Sequence, residues 1–141
     1  MAITFHPTPG AILVCDYTTG FREPEMVKTR LCVVITPRLR RRVGLCTVVP
    51  LSTTAPNPVE DYHFEVQFPR QLPRPWDGAS KWAKCDMLAT VGHQRLSPIG
   101  VGRGPDGRRT YIYPHVTKDE LKEIRKGVLC ALTLRELTQH L

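Results

Sequence analysis

The stretch that decides the fold is Gly10–Thr54. It opens Gly10-Ala11-Ile12-Leu13-Val14-Cys15-Asp16-Tyr17, passes through a polar loop carrying Glu23, Glu25, Lys28 and Arg30, and resumes as Leu31-Cys32-Val33-Val34-Ile35-Thr36. After an arginine-rich turn it ends Thr47-Val48-Val49-Pro50-Leu51-Ser52-Thr53-Thr54. Ala11–Tyr17 and Leu31–Thr36 are near-continuous apolar runs of strand length, so both read as core strands, and Pro37 closes the second. Val43–Pro50 returns as a third strand, which makes a β-hairpin whose tip carries Arg38, Arg40, Arg41 and Arg42. Two apolar strands flank a charged loop and a third ends in hydroxyl residues. This arrangement can bring an acid, a cation and hydroxyls together at the rim of a small β-barrel.

Outward from this stretch the chain continues as short pieces. Tyr62–Phe68 alternates polar and apolar residues, the period of a half-buried strand. Gln71–Ala79 is Pro-rich and loop-like, Ser80–Met87 resumes strand character, and Leu88–Val91 follows. His93–Ile99 reads as a short helix or turn, Gly100–Arg109 as a Gly-rich loop or hairpin turn, and Thr110–Tyr113 as a last short strand. The 13 prolines fall mostly between these runs and keep them short. The tail is helical. Thr117 with Glu120 forms a capping box, and Leu121, Ile124, Val128, Leu129 and Leu132 recur at helical spacing, with the pattern carried on to Leu141. The reading is mainly β with α: a small barrel with a C-terminal helix, 117–141, packed on it.

The 141 residues are most simply one domain spanning 1–141, long enough to bury a core. A hydrophobic content of 41% excludes a disordered chain. The formal charge of +7 favours anionic partners, nucleic acid first and an acidic protein second. The five cysteines include no C-x-x-C pair, so neither a zinc site nor a disulfide scaffold is indicated, and reduced thiols acting as small hydrophobes are expected. Neither a signal peptide nor an apolar run of the roughly 20 residues a membrane span needs is present, so a cytoplasmic protein that does not enter membranes is expected.

Four blocks in this order resemble the PemK/MazF family of toxin-antitoxin ribonucleases. They are the strand after Gly10, the acidic loop into Arg30, Val48-Val49-Pro50-Leu51-Ser52-Thr53, and Lys84-Cys85-Asp86-Met87-Leu88-Ala89-Thr90-Val91 with Arg95-Leu96; the match covers roughly residues 9–99. The resemblance implies an SH3-like small β-barrel, usually a homodimer, that cuts single-stranded RNA without metal or other cofactor and is held inactive by a cognate antitoxin, here an acidic one to suit the charge. It also implies the chemistry: the ribose 2′-hydroxyl attacks the adjacent phosphate and leaves a 2′,3′-cyclic phosphate. That reaction needs a base, a cation on the phosphate and an acid for the leaving oxygen.

The resemblance assigns residues to these roles. Arg30 stands at the family's arginine that opens the second strand, followed here by Leu31 in place of the usual proline, and its guanidinium could grip the phosphate. Ser52 stands at a family threonine and keeps the hydroxyl donor, with Thr53 next to it. Asp86 matches an aspartate that acts as general base in some members, and Lys84 replaces an arginine acid; read as one strand, 84 and 86 share a face. Glu25 is an alternative base or an orienting group for Arg30, and Glu23 competes with it. Arg38, Arg40, Arg41 and Arg42 are either contacts to the RNA backbone or a solubilising tip. Trp76, in the Pro-rich loop, is the better base-stacking candidate, and Trp82 reads as core. His93 reads as structural. Gly100–Arg109, with Arg103, Arg108 and Arg109, could border the RNA groove or alter dimerisation and antitoxin docking. A related toxin family uses the same barrel to bind DNA gyrase, which leaves as the alternative a non-catalytic module that binds such a protein target or binds RNA without cutting it.

Overall fold

Gly10–Thr54 folds as three adjacent antiparallel strands in a computed structural model, which describes residues 1–141. These are β1 (Ile12–Cys15), β2 (Arg30–Val34) and β3 (Leu45–Ser52). After them come β4 (His63–Gln67), β5 (Ser80–Lys84), β6 (Ala89–Gly92), β7 (Leu96–Ser97), β8 (Ile99–Arg103), β9 (Arg109–Ile112) and helix α1 (Lys118–Ala131).

Strands β1–β7 form one sheet ordered β4-β5-β3-β2-β1-β7, with β6 also paired to β3. Strand β3 organises it. One edge of β3 pairs with β2; the other pairs with β6 along Leu45–Val48 and with β5 at Leu51 and Ser52. Two partners sharing one edge require the sheet to bend. Strands β4 and β7 remain its outer strands, so no ladder closes the sheet into a complete barrel. The fold is mainly β with one C-terminal helix, as expected, in an SH3-like small β arrangement that stays open.

Both faces of the sheet centre are covered. Ile12, Leu31, Val33, Val49 and Leu51 point to one side, where Val66, Ala83 and the Ile124 and Val128 of α1 complete a core. Leu13, Cys15, Cys32, Val34, Cys46 and Val48 point to the other, against Tyr17, Val91 and Leu96. Two-sided burial is why β1 and β2 read as continuous apolar runs instead of alternating. Each fully buried Leu, Ile or Val side chain contributes about 1.5–3 kcal/mol. All five cysteines are free, and four are buried. Burial pushes the Cys46 thiol up to about 11 and the Cys85 thiol up to about 12.

The structure decides one expectation and corrects two. Of loop or hairpin turn, Gly100–Arg109 is the hairpin: it forms most of a separate two-stranded unit, β8–β9, with a register shift between Gly100 and Gly102. The β5 strand ends at Lys84, and Cys85–Met87 form a 3-10 turn. The helix stops at Ala131 because the chain turns at Thr133, whose φ of 59° lies in the left-handed region. Leu134 N–H donates to the Leu129 carbonyl and Thr133 N–H to that of Cys130, the pairing of a Schellman ending with threonine where glycine is usual. The other end follows the sequence reading: the Thr117 hydroxyl accepts from Glu120 N–H and the Glu120 carboxylate accepts from Thr117 N–H, each at 3.0 Å.

Gly127 sits in the middle of α1, where glycine costs about 1 kcal/mol relative to alanine. A Cβ there would come within 2.7 Å of Cys85 Sγ and 3.4 Å of the Tyr62 carbonyl oxygen. The glycine is what lets α1 press onto the turn that carries Asp86.

Candidate active site

The charged loop and the hydroxyl strand end meet through strand register. Cys15 on β1 lies opposite Arg30 on β2. The β2–β3 ladder ends at Cys32 opposite Pro50, and Arg30 and Ser52 lie two residues beyond that pair on their own strands, on its face. Ser52 lies opposite Trp82, and Trp82 opposite Glu65. Directly opposed residues share a face, so Ser52, Trp82 and Glu65 form a row across three strands, headed on the same face by Arg30 of the neighbouring strand. At about 4.8 Å per strand, the paired residues Ser52, Trp82 and Glu65 span roughly 10 Å. Lys84, paired with His63, lies on the same face one pleat along, about 7 Å from Trp82.

Arg30 is half-buried, and its Nε is fully buried without a hydrogen-bond partner. It has no carboxylate: the ion pairs of the protein are Arg108–Asp106, Lys126–Glu123 and Arg135–Asp61. Leaving a buried cationic donor unanswered costs about 1–3 kcal/mol or more, so the position favours an anion. Ser52 is 3% exposed, and its Oγ accepts from Thr54 N–H at 3.2 Å, which leaves the hydroxyl proton free to donate. Thr53 follows in the exposed turn.

The remaining predicted residues divide. Lys84 joins the row's face. Asp86 does not, because the strand ends before it; its side chain is exposed on the 3-10 turn, and its charge adds to the burial that raises the Cys85 thiol. Glu25 and Glu23 are exposed on the loop leading into Arg30, and Glu25 makes no pair with it. Arg38, Arg40, Arg41 and Arg42 are exposed at the opposite end of the β2–β3 hairpin. Gly44 to Ser52 spans about 25 Å along β3, so the arginine turn and Arg30 do not share one site. The tryptophans exchange environments. Trp76 packs against the helix-side core, whereas Trp82 joins neither core and stands half-exposed beside Ser52.

Lys81 was missed. It is 3% exposed, with Nζ 3.4 Å from the Asp77 carbonyl oxygen and 5.9 Å from the Phe68 ring centre. Burial lowers its pKa, and the charge of Arg30 lowers it further against the opposing pull of Asp77. The signal was present: in a strand where Ala83 faces the core, so does residue 81. No three His, Cys, Asp or Glu side chains converge as metal ligands, and no helix is long and apolar enough to cross a membrane.

Residues 8–129 match the family of PemK-like, MazF-like toxins of type II toxin-antitoxin systems. The chain belongs to this family. Among relatives, Escherichia coli (strain K12) YifN is 32% identical, with 92% of this chain and 93% of YifN covered. Among solved structures, MazF from Deinococcus radiodurans superposes with a TM-score of 0.60 at 18% identity, covering 92% of this chain and 98% of that one. A mycobacterial endoribonuclease in complex with its cognate antitoxin gives 0.52 at 18% identity, covering 91% and 94%. For this PemK/MazF-like toxin the likeness to solved structures establishes the fold.

Proposed function

We propose that the protein is the endoribonuclease toxin of a toxin-antitoxin pair, cutting single-stranded RNA at the row headed by Arg30. The observation that carries this reading is the unpaired, partly buried guanidinium of Arg30 on one face with a serine hydroxyl free to donate. Arg30 binds the scissile phosphate, and its charge stabilises the negative charge that builds on the phosphoryl oxygens. Ser52 donates to one of those oxygens, and Lys84 adds a second positive charge on the same face. The ribose 2′-oxygen loses its proton to a carboxylate, attacks phosphorus, and expels the 5′-oxygen, which takes up a proton; the products are a 2′,3′-cyclic phosphate and a 5′-hydroxyl. Glu25, on the loop that ends at Arg30, is the carboxylate for the first proton transfer. Trp82 offers a ring to a neighbouring base. No step uses a metal or cofactor. A homodimer in the cytoplasm, restrained by an acidic antitoxin, completes the reading, since +7 on the toxin suits a negative partner.

The test is incubation with a long single-stranded RNA in EDTA beside Arg30→Ala. Discrete fragments ending in cyclic phosphate from the unmodified protein alone support the reading. Intact RNA in both samples overturns it and favours a toxin that acts by binding a protein target.

A further inference from the structure

At the far end of β3 from Ser52, three separate chain segments close around a cleft of about 310 Å³. The N-terminal segment supplies His6, the β2–β3 turn supplies Arg38 and Arg42, and the 3-10 turn after β6 supplies His93. The imidazole rings of His6 and His93 lie 5.4 Å apart, centre to centre. No acidic residue lines the cleft, and none takes part in an ion pair with its arginines.

The turn is shaped to this end. Arg42 N–H donates to the Leu39 carbonyl at 3.1 Å, and Arg41 takes a φ of 63°, a conformation that costs a non-glycine residue about 1–2 kcal/mol. The result is selective: Arg38 and Arg42 face the cleft, whereas Arg40 and Arg41 do not line it. His93 is anchored by its backbone, whose N–H donates to the Gly44 carbonyl at 2.9 Å, and its ring Nε2 is buried without a partner. His6 Nε2 has only a long contact of 3.5 Å to the Thr36 carbonyl.

We propose that this cleft is a second anion site, separate from the Arg30 row, that binds a phosphate group. Two guanidiniums present forked donors to tetrahedral oxyanions, and two imidazoles become donors when protonated. The groups facing His93 are His6, Arg38 and Arg42, all cations or potential cations. Burial and the His6 charge lower the His93 pKa, so an anion placed between these groups restores protonation and binding strengthens on acidification. The site does not depend on the ribonuclease reading, because it shares no residue with the Arg30 row. The phosphate could belong to an RNA backbone held beyond the cleavage point or to a free phosphate compound; the shared chemistry is the oxyanion.

The test follows the ring resonances of His6 and His93 by NMR in the full-length protein. Sulfate is the first probe, because it stays doubly charged across the range used; inorganic phosphate and a single-stranded RNA oligomer follow. Both rings should shift with sulfate and with phosphate, and sulfate should bind about tenfold more tightly at pH 6 than at pH 8. Arg38→Ala with Arg42→Ala should remove the response while the thermal melt stays unchanged. His93→Gln should weaken the pH dependence, and Arg30→Ala should leave sulfate binding intact. RNA shifting the same rings, with a salt dependence that loses about 1.4 in slope in the double arginine variant, identifies the backbone as the source. Shifts with phosphate but not with RNA identify a free phosphate compound. The proposal is overturned if no ring shifts with sulfate or phosphate, if the double variant binds as before, or if Arg30→Ala abolishes the response. None of these outcomes bears on RNA cleavage, which Arg30→Ala tests separately.

Discussion

Helix α1 and the Arg30 row use the same sheet in opposite ways. At α1 the polar ends are answered: a capping box closes the N-terminus, a Schellman pairing closes the C-terminus, and Gly127 admits Cys85 into close contact. Along the row, Arg30 Nε lacks a partner, the guanidinium lacks a carboxylate, and Trp82 lies outside both cores. Packing and hydrogen bonds saturated within the chain act on stability. Donors left open are free for a ligand. The two regions should therefore respond to mutation in different assays.

The largest effect is expected at Arg30. Arg30→Ala should slow RNA cleavage at least 100-fold, the scale of removing one preorganised donor from a developing anion, while urea unfolding shows no loss of stability and a gain of about 1 kcal/mol, because the unanswered buried donor is gone. A marked loss of stability would erase the contrast, since Arg30 would then be structural. Gly127→Ala tests the other region. Its Cβ collides with Cys85, so unfolding should show a cost of about 2 kcal/mol despite the better helix propensity, with cleavage per folded molecule unchanged. If cleavage falls as well, the turn bearing Asp86 belongs to the active site. The tryptophans provide a smaller test: Trp82→Ala should weaken single-stranded RNA binding about tenfold without altering the melt, whereas Trp76→Ala should lower the melt and leave binding alone. The smallest change is Thr133→Gly, expected to raise unfolding stability by about 0.5–1 kcal/mol, because glycine accepts the left-handed backbone that a β-branched residue resists.

Much of this could be read from local patterns. The apolar runs of β1, β2 and β3, the alternation of β4 and the Thr117 capping box are short-range features, and the corresponding elements appear within a residue or two of their expected places. The family blocks likewise pointed to Arg30 and Ser52. The misses have a common cause. Asp86 was placed beside Lys84 by assuming that a strand continues, but Cys85 turns inward beneath Gly127, a contact made by a residue more than forty positions away in the chain. The helix was carried to Leu141 because leucines kept recurring, yet the backbone reverses at Thr133. Gly100–Arg109, with four glycines and Pro105-Asp106-Gly107, reads as a loop or a hairpin turn, and only the pairing of β8 with β9 chooses the hairpin.

What the sequence determined by itself is the set of elements, the two-sided burial of the central strands and the family, because these follow from side-chain type and spacing along the chain. Only the tertiary structure decided which polar groups meet. Register, fixed by burying one face of each strand, puts Arg30 on one face with Ser52 and Trp82; it also carries the arginine turn to the far end of β3. A shift of one residue would turn each of those side chains to the other face, and no local pattern records that choice.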